Sequence, residues 1–182
     1  MKFHKTIILI ILCIHLYSCA DYKTGKINQV KEKAYYSSYE VVNTSDHIFT
    51  FEELESIGLK KNKEYDVSDL EGAVRAVNGF WSTDIGKKEY ELRFYPSHSV
   101  AVSLGEPLAQ EATGEDAIIK KSEATWKEGI KDRRRSQRTS GSHPKYGNYS
   151  IYGNIVMLCE GQVDLALEVC WELIRAIQDI EK

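Results

Sequence analysis

The chain reads as an α+β protein: a two-layer sandwich in which an antiparallel or mixed sheet carries helices on one face. Three observations predict this. From Lys88 to Tyr95 apolar and charged residues alternate, with Tyr90, Leu92 and Phe94 on one side and Glu89, Glu91 and Arg93 on the other, the period of a half-buried strand. Val163, Ala166, Cys170, Leu173, Ile177 and Ile180 recur every three or four residues, the stripe of an amphipathic helix. The order strand-then-helix occurs twice, at 88–112 and at 150–181, so crossover helices would cover one face of a common sheet.

The remaining elements follow from their own signals. Thr50-Phe51-Glu52-Glu53 is a capping box opening a short helix that Gly58 stops. Ser68-Asp69-Leu70-Glu71 spells a second box, and Leu70, Ala73, Val74 and Val77 share one helical face before Gly79. Asp84-Ile85-Gly86 marks a turn into the alternating strand. Pro96-Ser97 opens a helix bearing Val100, Leu104 and Leu108, which Gly105 and Pro107 kink or restart because proline forfeits a helical hydrogen bond. Ser122 to about Arg135 reads as helix with Trp126 and Ile130 inward, and Ser136 to Lys145 as a loop. Ser150 to Cys159 is apolar on both parities and reads as a central strand ended by Gly161. Assembled, these elements resemble a ferredoxin-like sandwich.

The first twenty residues carry a different message. Lys2 and Lys5 precede an apolar run, Thr6 to Tyr17, and small residues follow, the order of a secretory signal. Twelve residues are too few to span ~30 Å of hydrocarbon at ~1.5 Å each. Leu16-Tyr17-Ser18-Cys19 resembles the lipobox of bacterial lipoproteins, with Tyr17 the unusual member; the resemblance implies cleavage before Cys19 and acyl chains on that residue. Ala20 follows in place of the aspartate that marks inner-membrane retention in some double-membraned bacteria. The expected organisation is a signal peptide over 1–18, a lipidated N-terminus and tether over 19–46, and a single α+β domain over 47–182. The tether is polar and aperiodic, and joins the fold through Tyr39-Glu40-Val41-Val42.

Charge and cysteines narrow the classes further. The whole chain has 24 basic and 27 acidic side chains; without the two leader lysines the excess of acid grows, which argues against nucleic acid as a partner. Cys13 leaves with the leader and Cys19 carries lipid, leaving Cys159 and Cys170 as two buried thiols or a disulfide.

Motifs of known chemistry are few. Ser142-His143-Pro144-Lys145 has the Ser-x-x-Lys spelling of penicillin-recognising enzymes, but it sits in a Gly/Ser loop with proline inside it. His47, His98 and His143 show no zinc spacing, so no metal and no cofactor is expected. GxSxG, P-loop and GxGxxG patterns are missing, and no catalytic residue is assigned. Glu52/Glu53 and Glu115/Asp116 lie at expected helix starts, where capping explains them. The candidates for ligand or surface contact are the charge run Lys131 to Arg138, centred on Arg133, Arg134 and Arg135, and the neighbouring tyrosines Tyr146, Tyr149 and Tyr152.

Three blocks, Lys88 to Ser97, Ala124 to Gly129 and Tyr152 to Gly161, resemble segments of uncharacterised lipoproteins of bacterial envelopes. The resemblance implies no chemistry. The expected role is a non-catalytic binding or accessory module, held extracytoplasmically by the acyl chains on Cys19 and meeting an envelope protein or glycan. The alternative is an envelope enzyme, such as a cell-wall glycan hydrolase, with a site assembled in space.

Overall fold

In the computed structural model, which describes residues 39–182 apart from residue 85 and residues 138–140, the alternating segment forms strand β4 (Gly86–Phe94). The leader, Cys19 and the tether as far as residue 38 lie outside the described residues. Strand β4 lies inside a six-stranded sheet with β1 (Val42–Asn43), β2 (Lys60–Tyr65), β3 (Arg75–Thr83), β7 (Tyr146–Tyr152) and β8 (Ile155–Glu160). The order is β1-β7-β8-β4-β3-β2, antiparallel throughout except for the parallel pair β1–β7. The sheet is therefore mixed and the fold α+β, as the sequence predicts. Strands β5 (Arg134–Gln137) and β6 (Gly141–Pro144) form a separate two-stranded ribbon.

Helix α4 (Val163–Gln178) covers one face of the sheet. Its Val169, Cys170, Leu173, Ile174 and Ile177 pack against Tyr90, Leu92, Met157 and Cys159 in the principal core. Helix α1 (Phe51–Ser56) closes this core with Phe51 and Leu54; it starts with the expected capping box, in which Thr50 and Glu53 bond each other's backbone N–H. On the other face Tyr95, Tyr146, Tyr149, Ile151, Val156 and Leu158 meet a broken helix. That helix runs as α2 (His98–Val100), a π-helical turn over Ala101–Gly105 and α3 (Glu106–Ala112). The break falls where Gly105 and Pro107 predict it. A Cβ on Gly105 would stand 2.7 Å from the Tyr95 ring, so the close approach requires glycine. The sheet is built from two hairpins, β3–β4 and β7–β8, joined side by side through β4 and β8. The split βαβ units of a ferredoxin-like sandwich are replaced by this arrangement.

Four element assignments change. Residues 68–79 are not a helix: a turn leads into β3, whose Val77 and Gly79 pair with Leu92 and Tyr90. Asp66 Oδ1 takes the Ser68 N–H in an Asx turn, and ladder pairing outweighs helical spacing. Residues 122–133 are turns, with Gly129 at φ +69°, although Trp126 and Ile130 point inward as expected. Part of the 136–145 loop is the β5–β6 ribbon. The single strand over 150–159 is the β7–β8 hairpin, turned at Gly153 and Asn154.

The half-buried strand needs the largest correction. Tyr90, Leu92 and Phe94 are inside, but Glu91 and Arg93 are 0% exposed as well. The charged side of β4 faces a second interior.

Candidate functional site

Among the described residues, two surface depressions and one buried cluster gather polar groups that could do chemistry. The larger depression, about 610 Å³, opens where β8 turns at Gly161 into the start of α4. Glu115, Arg135, His143, Tyr146, Gly147 and Asp164 are among its walls. Gly147 permits it: a Cβ there would stand 2.5 Å from the Gly161 carbonyl oxygen, so only glycine lets β7 run this close to the turn. Arg135 is already engaged, pairing with Glu160 on β8.

The smaller depression, about 210 Å³, is lined by Lys63, Lys121, Lys127, Lys131, Glu128 and Asp132. Lys63 bonds Asp132 at 3.0 Å, while Lys121, Lys127 and Lys131 make no ion pair among the described residues. This groove is the free cationic surface of the region.

Beneath both lies the charged interior. Arg133 Nε and Nη2 donate to the two oxygens of Glu91 at 2.8 and 3.0 Å, a bidentate fork. Nη1 also donates to the Trp126 carbonyl and Nη2 to the Glu128 carbonyl. Arg93 Nε donates to Glu91 Oε1 at 2.8 Å. The Trp126 ring lies against both guanidiniums, 4.6 Å from that of Arg133 and 5.1 Å from that of Arg93. Burial alone would push the Glu91 carboxyl up; Arg133 and Arg93 hold it below the usual carboxylate range. Burial pushes Arg93 down, and the like charge of Arg133 adds to this, while Glu91 holds Arg133 above its ordinary value despite burial.

Further polar contacts lie around this cluster. Lys145 Nζ donates to Glu89 at 2.7 Å, and Asn78 Nδ2 donates to Glu89 and to the Tyr146 hydroxyl. Tyr65 donates to Asp132 at 2.9 Å. Burial, then the charges of Glu91 and Glu89, raises the Tyr146 phenol; burial, then Glu91 and Asp132, raises that of Tyr65.

The residues expected at a contact surface are thus dispersed. Arg133 is a core residue at 2% exposure, bound in the Glu91 fork. Arg134 is half-buried on the β5–β6 ribbon, and Arg135 is half-exposed but paired. Tyr146 is fully buried between the larger depression and the charged interior. Tyr149 is buried on the α3 side, donating to Glu106. Tyr152 belongs to the opposite core, where burial and Glu181 push its phenol up to about 12. These three tyrosines form no common exposed aromatic face. The tyrosines are β-formers with satisfied hydroxyls.

Cys159 on β8 and Cys170 on α4 are joined, with Cα atoms 5.6 Å apart, as a disulfide inside the principal core. His47 bonds Glu53, His98 bonds the Gly153 carbonyl, and His143 stands at the larger depression. Among the described residues no three His, Cys, Asp or Glu side chains are placed to hold a metal, and no helix is long and apolar enough to cross a membrane.

Sequence reading missed the Glu91–Arg93–Arg133 cluster and the lysine groove. The one signal for the first was Trp126, expected inward, whose ring face can take a buried guanidinium. An α+β domain with a mixed sheet, a buried ion cluster and a core disulfide is what this geometry defines. The chain belongs to the Family of unknown function (DUF6810), whose model matches residues 50–179 and so contains all three resemblance blocks. No curated protein and no solved structure matches the chain.

Proposed function

We propose that this chain is an extracytoplasmic lipoprotein, cut before Cys19 and held by acyl chains there, whose domain is a non-catalytic binding or accessory module of a bacterial envelope. The observation that carries the reading is the leader ending in Leu16-Tyr17-Ser18-Cys19. Two structural facts support it. A disulfide closed inside the core suits an oxidising compartment and is out of place in a reducing one. The first described residues are docked on the domain, where a tether would join it: Val41 accepts bonds from Ile151 and Ser150, and Tyr39 stacks on Trp171.

Binding is favoured over catalysis by where the perturbed carboxyls stand. The carboxyls held low, Glu52, Glu53, Glu64, Asp66, Glu91 and Asp132, owe this to ion pairs, caps and turns, and none lines the larger depression. The contact surface we assign is the groove of Lys121, Lys127 and Lys131, whose unpaired charges suit an anionic envelope component. Intact-mass measurement of the membrane-extracted protein, with and without reductant, tests the anchor. Loss of Met1 to Ser18, a lipid increment and a two-hydrogen gain on reduction are expected. A full-length unmodified mass, or unaltered envelope retention of Cys19→Ser, refutes it.

A further inference from the structure

The charged interior has more donors than acceptors. Glu91 brings one negative charge against the two positive charges of Arg93 and Arg133, all at 2% exposure or less. Its oxygens already accept from Arg133 Nε, Arg133 Nη2 and Arg93 Nε. The nearby acids are committed elsewhere, Glu89 to Lys145 and Asp132 to Lys63, so neither balances the excess cation. Arg93 Nη2 lies 2.8 Å from Glu91 Oε1 with no hydrogen well aimed at it, and Arg93 Nη1 makes no hydrogen bond of normal geometry, the Tyr95 hydroxyl being the polar group the guanidinium approaches. Two further buried groups have no acceptor for their hydrogen, the Tyr95 hydroxyl, which faces the Arg93 guanidinium, and the Trp126 indole N–H.

These groups are neighbours by construction. Glu91, Arg93 and Tyr95 alternate onto the same side of the chain, and the Arg93 guanidinium partly offsets the rise that burial gives the Tyr95 phenol. Trp126 packs its ring on Arg93. The π-helical turn lies directly over the Tyr95 ring through Gly105. All the unpartnered atoms can donate, so what would satisfy them is an acceptor, and the net positive charge selects a negative one.

We propose that this interior is a binding site for one small monovalent anion, a halide or a single carboxylate, held by Arg93 Nη1 with the Tyr95 hydroxyl as second donor. The inference stands apart from the envelope reading. The anion would neutralise the second guanidinium and act as a bound part of the fold under the segment from Gly114 to Asp132.

The test uses the detergent-solubilised full chain. Melting is followed at fixed ionic strength while chloride, bromide or acetate replaces sulfate, whose double charge exceeds the single excess cation of the site. Between 1 and 100 mM, the Tm should rise by roughly 5 °C in at least one monovalent anion, since a ligand binding only the folded state stabilises it by mass action. A response to the halides alone identifies an inorganic ion; a response to acetate identifies a carboxylate. Tyr95→Phe, which removes one donor and little volume, should weaken the response several-fold, and Arg93→Met should abolish it. Should Arg93→Met fail to fold, crystals grown in bromide give an independent reading, an anomalous peak within hydrogen-bond reach of Arg93 Nη1. Equal melting in all anions, or solvent oxygen in place of bromide beside Arg93, overturns the proposal.

Discussion

On the face of β4 that meets α4, Tyr90, Leu92 and Phe94 pack into a core of apolar side chains containing the Cys159–Cys170 disulfide. On the opposite face Glu91 and Arg93, from the same strand, are just as completely buried beneath the Trp126 turn region and beside Arg133. The first interior gains from every methylene removed from water, about 0.8 kcal/mol each, and tolerates small rearrangements. The second offsets a desolvation cost of several kcal/mol per ion only while each charge keeps its partners. One face should therefore fail gradually and the other abruptly.

The largest expected effect is on the charged face. Glu91→Gln removes the carboxylate that two buried guanidiniums share and should lower unfolding free energy by about 3–5 kcal/mol in a urea titration. Arg93→Met should lower it by less, because the Arg133–Glu91 fork remains intact and neutral. If Glu91→Gln were no worse than Arg93→Met, the asymmetry between these residues would be lost. The same carboxyl sets a pH dependence. Its folded value is depressed, so its contribution is complete above the unfolded carboxylate value of ~4.3 and is lost as pH falls through the folded one. The difference between wild type and Glu91→Gln should shrink steadily below pH ~4.

The apolar face should respond next, and without that pH signature. Replacing Cys159 and Cys170 by alanine removes a cross-link closing an eleven-residue separation, expected to stabilise by roughly 2–4 kcal/mol. Denaturation of the double variant should show the same loss at pH 7 and at pH 5, since no titrating group is involved. A loss that grew with acidity would mean the two faces are coupled through β8.

The same contrast decides what could be seen in the sequence. Helix α4, helix α1 with its capping box, and the strand over 88–95 were legible because apolar residues repeat at the period of the element that buries them. The interruption at Gly105 and Pro107 was legible because both residues act locally. The charged face was hidden, because Glu89, Glu91 and Arg93 alternate as a wet strand face does, and burial of charge depends on Arg133 arriving from 42 positions away. The basic run misled for the same reason. Arg133 and Arg135 share a spelling with a solvated helix end, yet one is interior and the other is tied to Glu160. The hairpin turn at Gly153-Asn154 was read through, since both flanking strands are apolar on both parities.

Asn154 is where the two faces meet, and it supplies the finest test. Its Oδ1 accepts the Phe49 N–H at 2.8 Å, and its Nδ2 donates to the carbonyls of Phe49 and Tyr95. Phe49 belongs to the apolar core and Tyr95 to the interior on the other side of the sheet. The side chain is 1% exposed, so no solvent can substitute for it directly. Asn154→Ala should cost about 1–3 kcal/mol, the penalty of leaving buried backbone groups unpaired. Amide exchange distinguishes how that loss is shared: protection at Phe49 should fall in step with protection around Tyr95 if one residue fastens both. A loss confined to Phe49 would show that the Tyr95 side is held independently by the π-helical turn.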